Sequence, residues 1–279
     1  MDAELYLDHN AGSPLRSAAL AAMLPWLERG AANPSSLHRG GQAARAALER
    51  ARVRVAARLG GRPEDWVFTS GATEACNLAL QGAWMGGRPL LVGSTEHPAV
   101  LETALAIRAD GGSVEILPVK SDGSVDILAL EEALGRFPRA LVALMAANNE
   151  TGVLHPWDKV EALAHQFQAA LFCDLAQAAG KIAFDVHAMG LDLAALSAAK
   201  FGGPQGCGLL YVRSGFPLKP LLHGGHQERG VKPGTENVAG AVGLAAALDD
   251  ALESLPHQAR DWAAGVAALQ AGLAGRFSG

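Results

Sequence analysis

Apolar residues along this chain gather in short runs, each closed by a polar or glycine-rich turn and followed by a stretch with helical spacing. Strands are predicted at Trp66 to Thr69, Leu90 to Gly93, Val114 to Pro118, Ala140 to Met145, Ala170 to Cys173 (ending in Asp174), Leu193 to Ser197 and Gly208 to Val212. Helices are predicted at Ser17 to Leu27, stopped by Gly30, then Gln42 to Leu59, Ala99 to Ala109, Ile127 to Leu134 and Lys159 to Ala169, with another opening at Ser70-Gly71-Ala72-Thr73. Within 42–59, Leu48, Ala51, Val55 and Leu59 share one face and Gly60-Gly61 ends the helix. Tyr6-Leu7-Asp8 reads as a further short strand, and Asn33-Pro34-Ser35-Ser36 as a turn ready to cap the helix that follows. Strands alternating with helices specify an α/β fold, a largely parallel sheet covered on both faces. Ligands of such sheets sit at the strand carboxyl ends.

The tail carries a second message. Val238 to Leu255 has helical spacing and Pro256 should break it, leaving a second helix with Trp262, Val266, Leu269 and Leu273 on one face. That stripe calls for a partner, either a further small domain or a second copy of the chain.

Bulk properties narrow the class. With 279 residues, 49% hydrophobic and 18% charged, the chain can bury a large core as one big domain or two ordinary ones. Its formal net charge of −5 argues against nucleic acid or an acidic membrane as partner. The arginines Arg45, Arg50, Arg52, Arg54 and Arg58 therefore read as a solvated helix face. The start, MDAELYLDHNAG, is acidic where a secretory signal would be basic, and no apolar run is long enough to span a bilayer. Cys76, Cys173 and Cys207 have neither metal-ligand nor disulfide-framework spacing, which fits a reducing, cytoplasmic setting.

The residues at the strand ends carry the chemistry. Lys200 lies between Ala199 and Phe201 and is followed by Gly202, Gly203, Gly206 and Gly208. A lysine in apolar surroundings loses affinity for its proton, and the neutral amine can attack an aldehyde. A lysine that snorkels out of a core element fits the same residues. Ser70-Gly71-Ala72-Thr73-Glu74, between a strand and a helix, offers free backbone N–H groups to an anion, though an ordinary capped turn looks alike. Asp174 ends an apolar strand and either caps the next turn or pairs with a cation; a protonated ring nitrogen would be such a cation. Gln177 lies just beyond it. His97, before Pro98, is either a capping histidine or one that stacks on a ring and moves protons. Asn148-Asn149-Glu150-Thr151-Gly152 offers side-chain amides to a carboxylate, and His223 with His226 lacks the further ligands that zinc needs.

Together the segments YLDHNA (6–11), NPSSLH (33–38), SGATEACN (70–77), TEHPAV (95–100), NNETG (148–152), DLAQ (174–177), SAAKFGGPQG (197–206) and GGHQERGVKPGTEN (224–237) resemble the NifS-type cysteine desulfurases, pyridoxal-phosphate enzymes of the class V aminotransferase group. The likeness runs in order from Leu5 to about Ala241. It implies a fold type I pyridoxal-phosphate transferase, with a mostly parallel mixed sheet between helical layers. An N-terminal segment would cover residues 1–14, the large cofactor domain 15–240, and the start of a smaller domain 241–279.

The resemblance also implies roles. Lys200 would hold pyridoxal 5'-phosphate covalently and shuttle protons. Asp174 would pair with the ring nitrogen, Gln177 with the phenolic oxygen, and His97 would stack over the ring and assist proton transfer. Ala72 (through its backbone), Thr73 and Ser197 would hold the phosphate, and Thr235 would reach the phosphate of a second subunit in a homodimer. Asn149 would help bind the substrate carboxylate. The implied reaction turns L-cysteine into L-alanine and leaves a protein persulfide for iron–sulfur assembly, with an iron–sulfur scaffold or other acceptor as partner. Selenocysteine lyase or aminotransferase chemistry on the same fold, and a non-catalytic cofactor-binding scaffold, are the alternatives.

Two departures from the resemblance stand out. Ala199 replaces the histidine that commonly precedes the lysine. The segment that would carry a mobile sulfur-accepting cysteine and a carboxylate-gripping arginine is absent before Gly279, so the chain reads as a shortened form. Cys76, although near a helix N-terminus that could lower its pKa, is assigned with Cys173 and Cys207 to packing.

Overall fold

The computed structural model describes residues 6–29 and 33–274. Seven strands form one sheet: β1 (Trp66–Thr69), β2 (Leu90–Gly93), β3 (Val114–Leu117), β4 (Leu141–Met145), β5 (Ala170–Asp174), β6 (Leu193–Ser197) and β7 (Gly208–Val212). Their order across the sheet is β1-β7-β6-β5-β4-β2-β3. Only β7 is antiparallel to its neighbours, pairing with β1 on one side and β6 on the other. The other six strands therefore share one direction, and their carboxyl ends share one rim of the sheet.

Seven helices complete the fold: α1 (Ser17–Glu28), α2 (Arg39–Leu59), α3 (Ala72–Met85), α4 (Pro98–Ala109), α5 (Ile127–Arg136), α6 (Trp157–Gln166) and α7 (Val238–Leu273). The strand sequences read as unbroken apolar runs because both faces of the sheet are covered. Phe68, Leu91, Val142, Leu144, Leu171, Leu196 and Leu209 point into one core, with Leu48, Val55 and Leu59 of α2, Leu130 of α5, Val160 of α6 and Leu244 of α7. The alternate residues Val67, Leu90, Val92, Leu141, Phe172, Leu193 and Leu210 point into the other, under Leu78 of α3 and Val100 of α4. This is the mostly parallel mixed sheet with helices on both faces that the sequence predicts.

Five expectations need correction. Tyr6-Leu7-Asp8 is not a strand; Leu7 is 78% exposed, no strand lies beside it, and the Tyr6 hydroxyl instead donates to the carbonyls of Asp8 and Gly12 at 2.8 and 2.7 Å. The cap of α2 is His38, whose Nδ1 accepts from Gly41 N at 3.3 Å, while Asn33 closes its own turn by accepting from Ser35 N at 2.9 Å. Pro256 does not end a helix, and α7 runs through it to Leu273. Proline removes one backbone donor there, and Arg16 spans the position with bonds to Asp250 (2.7 Å), Ser254 and Gln258 (both 3.4 Å), one turn apart on one helix face. Pairs from α2 hold the same stretch: Arg54 and Arg58 both bind Asp249.

The fourth correction concerns Arg52, which is not on a solvated face. It is 5% exposed and makes a two-pronged ion pair with Glu228, both contacts 2.9 Å long. Glu228 also accepts from Phe68 N at 3.0 Å, and Arg52 and Arg229 donate to Trp66 O. Side chains thus satisfy the free edge of β1, which no other strand covers. Helix α6 also stops three residues short of the predicted Ala169, where Gln168 takes a positive φ of 54°. The helix stop at Gly30 lies outside the described residues, and α1 is described to Glu28.

Candidate active site

At the carboxyl rim of the sheet lies a cavity of about 560 Å³. It is lined by the turn after β1 (Gly71, Ala72, Thr73), by His97 after β2, by Met145 at the end of β4 with Asn149 and Glu150 beyond it, by Asp174 at the end of β5 with Gln177 beyond it, and by Ser197 at the end of β6 with Ala199 and Lys200 beyond it. Asp8, Asn10 and Ala11 close it from the N-terminal segment. Eight of the nine predicted site residues therefore meet in one place. The exception, Thr235, is exposed on the loop before α7 and does not line this cavity.

Each wall has a physical origin. Helix α3 begins at Gly71 without a side-chain cap, so backbone N–H groups of its first turn face the cavity region unpaired by any capping side chain. The approach of β7 to this turn requires glycine: a Cβ on Gly208 would lie 2.6 Å from the Gly71 backbone and 2.6 Å from Leu196 O. His97 caps α4 through Nδ1, which accepts from Ala99 N at 3.1 Å, and still lines the cavity. Capping and a site role, alternatives in the sequence, coexist here. Asn148 folds its loop by accepting from the N–H groups of Glu150 and Thr151, both at 2.9 Å, and so leaves Asn149 on the wall.

Asp174 ends β5 at 5% exposure. One carboxylate oxygen accepts from Ala176 N at 2.9 Å, and no arginine or lysine makes an ion pair with it among the described residues. Burial pushes its carboxyl up, opposed by that hydrogen bond and by the nearby His97 and Lys200. A buried carboxylate with one donor is a receptor for a cation.

Lys200 sits in the 3-10 turn Ala198–Phe201. The amine is not in the apolar surroundings that Ala199 and Phe201 suggest. Phe201 and Ala198 turn into the core, while Lys200 is half-buried and its Nζ donates to Asn10 O and Ala11 O at 2.8 and 2.7 Å. The N-terminal segment runs along this turn, with Ser13 N donating to Ala199 O and Arg16 N to Gly202 O, both at 2.8 Å.

Three participants escaped the sequence reading. Asn10 is the hub: its carbonyl takes Lys200 and Gln177 (3.0 Å), its Oδ1 takes Lys181 (2.9 Å), and its Nδ2 donates to Asn149 O (2.9 Å). Lys181 also donates to Gln177 Oε1 at 2.5 Å. Glu96 is buried where β2 ends, and its Oε1 accepts from Met145 N at 2.6 Å in place of a ladder bond. Burial pushes the Glu96 carboxyl well up, and Asp174 adds to the effect. Only position hints at these residues in the sequence: Asn10 and Glu96 stand inside quoted motifs, and Lys181 lies four residues after Gln177.

The three cysteines are buried, as assigned. Burial pushes the Cys76 thiol well up, and Asp174 and Glu96 push the same way, so the helix N-terminus does not produce a thiolate. No group of histidine, cysteine and carboxylate side chains suited to a metal occurs among the described residues. No described helix is long and apolar enough to cross a membrane.

Comparison with known proteins places this rim in a family. The aminotransferase class-V family model matches residues 5–263. The chain is 39% identical over 256 residues to "Cysteine desulfurase IscS" of Dictyoglomus turgidum, covering 90% of this chain and 65% of that protein. It is 45% identical over 266 residues to a "Cysteine desulfurase" of a Frankia species, covering 90% and 63%. Among solved structures, a "NIFS-LIKE PROTEIN" superposes with a TM-score of 0.88 at 37% identity, over 92% of this chain and 72% of that one. "SspA in complex with cysteine" does so with 0.84 at 35% identity, over 88% and 72%. The chain spans just under two thirds of the length of these two curated relatives. A family match over nearly the whole chain, together with a superposition at a TM-score of 0.88, makes this chain a member of the aminotransferase class-V family.

Proposed function

We propose that this chain is the pyridoxal-phosphate-binding part of a cysteine desulfurase, acting on L-cysteine to give L-alanine and a persulfide sulfur for iron–sulfur assembly. One observation carries the reading: an amine (Lys200), an unpaired buried carboxylate (Asp174) and an uncapped helix N-terminus (α3) meet in one cavity. Those donors fit the cofactor's aldehyde, its ring nitrogen and its phosphate in turn. The desulfurase names of the relatives and the cysteine complex of a neighbour support cysteine as substrate.

When bound, the cofactor supplies an aldehyde carbon to Lys200 and a protonated ring that draws electrons from the substrate. The protein does the rest. Asp174 accepts from the ring N–H and keeps that nitrogen protonated. The N–H groups of Ala72 and Thr73, with the Thr73 and Ser197 hydroxyls, hold the phosphate against the α3 dipole. Gln177 would donate to the phenolic oxygen, and His97, anchored through Nδ1, would stack over the ring and assist proton transfer. Asn149 would orient the substrate carboxylate, and the Lys200 amine would hold or pass on a proton at the cavity wall. Ala199 gives the phosphate no side-chain donor. The buried thiols of Cys76, Cys173 and Cys207 leave sulfur transfer to a thiol elsewhere.

In this reading the chain works as a homodimer, with Thr235 reaching the partner's phosphate. The large domain covers 15–240, and α7 leads from 241 into a smaller domain that meets the exposed stripe of Trp262, Val266, Leu269 and Leu273. An iron–sulfur scaffold or another acceptor protein takes the sulfur, in the cytoplasm.

Incubation of the cofactor-loaded chain with L-cysteine and a small thiol is expected to release alanine and sulfide in equal amounts. Cofactor uptake without alanine would overturn desulfurase activity in this chain and favour a binding role. Equal turnover of cysteine by transamination would reassign the reaction.

A further inference from the structure

The mechanism above leaves unused the one charged group, among the described residues, that touches both Gln177 and Asn10 by side-chain hydrogen bonds. Lys181 is half-buried and does not line the cavity; it stands behind Gln177 and Asn10, which do. Its mount is rigid. Gly180 holds a φ of 74°, a Cβ there would come within 2.6 Å of Phe201 Cβ, and Lys181 N donates to Ala178 O at 3.0 Å.

An ammonium only donates. The Gln177 side-chain atom 2.5 Å from Lys181 Nζ must therefore be the amide oxygen. The other end of the same amide lies 3.0 Å from Asn10 O, a carbonyl that only accepts, so that end must be NH2. Two independent neighbours select the same orientation, and together they hold an amide that either contact alone would hold less firmly. One N–H of the NH2 is used by Asn10 O, and the second is left at the cavity wall.

We propose that Lys181 is a positioning residue of this site: it locks the Gln177 amide so that N–H, not oxygen, faces the bound ligand, and ties the Asn10 strap to it. The inference rests on the pyridoxal phosphate reading, in which Gln177 must donate to an anionic oxygen. With the amide reversed, two acceptors would face each other and the site would repel the phenolate.

The groups that share the electrostatics are Lys200 on the 3-10 turn, Asp174 on β5, His97 before α4, Glu150 on the loop after β4 and Asp8 on the N-terminal segment. Burial, and then the charge of Lys200, lowers Lys181 to about 8. Above that pH the amine can accept as well as donate, and the lock weakens.

The test compares wild type, Lys181→Met, Lys181→Arg, Gln177→Ala and the double variant Lys181→Met/Gln177→Ala, all loaded with pyridoxal phosphate. In Lys181→Met the pH midpoint of the cofactor's visible band should rise by about one unit, because the phenolate loses its donor. Lys181→Arg should restore most of that shift. On the Gln177→Ala background Lys181→Met should add nothing, since it acts through the amide. An unmoved midpoint in Lys181→Met, or shifts that simply add in the double variant, would overturn the proposal. Competitive acetylation of the cofactor-free protein, read by mass spectrometry, gives a second check. Lys181 should react with a midpoint near its lowered value of about 8 and move up in Lys200→Met. A midpoint in the ordinary lysine range would overturn the placement of Lys181 in this network. Failure of the wild-type chain to take up pyridoxal phosphate would sink the function proposed above, while the acetylation result would still decide the environment of Lys181.

Discussion

An Asp174→Asn chain is expected to bind pyridoxal phosphate about 100-fold more weakly than wild type, while its cofactor-free form loses the pH dependence that Asp174 imposes. The two effects have one cause. Burial raises the Asp174 carboxyl above its ordinary value, and the Ala176 N–H, His97 and Lys200 only partly oppose that. The sign follows from proton uptake. Between its unfolded and folded pKa the group holds more protons when folded, so its contribution to stability falls as pH rises through that window and stays low above it. Asparagine keeps an acceptor for Ala176 N but cannot ionise, so its thermal stability should fall less than that of wild type across the window, the remaining slope coming from other buried carboxyls such as Glu96. A cofactor with a protonated ring nitrogen supplies the missing charge, and only the aspartate gains from it. Thermal melts of both chains across the acid range, with and without cofactor, measure this. Parallel melting profiles together with unchanged cofactor affinity would contradict it.

The second large effect lies away from the cavity. Glu228→Ala or Arg52→Ala should each destabilise the fold by about 3–5 kcal/mol, the usual consequence of leaving one buried charge alone. Glu228 is 7% exposed and answers both Arg52 and the Phe68 N–H, so its loss strands an edge donor of β1 and leaves the buried guanidinium only the more exposed Glu49, 3.3 Å away. The same change releases the loop that carries Thr235, because Glu228 and Arg229 hold left-handed φ values of 46° and 56° and stay there through these contacts. Denaturant melts of each single variant and of Arg52→Met/Glu228→Leu separate the terms, since the double variant leaves no lone charge and should regain part of the loss. A single-variant loss below about 1 kcal/mol would mean that the pair is solvated in solution.

Much of this architecture was readable from residue order because the inner strands, covered on both faces, are apolar along nearly their whole length and end in polar turns. Each predicted strand from Trp66 onward lies within two residues of its place. The rim was readable for the same reason, since strand ends converge whatever the helices do between them. The misreadings are also physical. Tyr6 to Asp8 has strand-forming residues and no strand to pair with. Pro256 costs one hydrogen bond, which the Arg16, Arg54 and Arg58 contacts around it offset. Arg52 looked solvated by composition, yet it falls at a four–three–four spacing with Leu48, Val55 and Leu59 and so belongs to their buried face. Asn10 and Lys181 had no more than their position to mark them, because their part is a set of contacts between segments about 170 residues apart.

The central claim is that Lys200 is the amine that takes the cofactor. Titration of pyridoxal phosphate into the chain, followed by borohydride to make the link permanent and by peptide mass mapping, addresses it directly. The expected result is one cofactor mass on the peptide containing Lys200, and no visible band or added mass in Lys200→Ala. A label on Lys181 or elsewhere in the wild type, or a band that survives in Lys200→Ala, would contradict it.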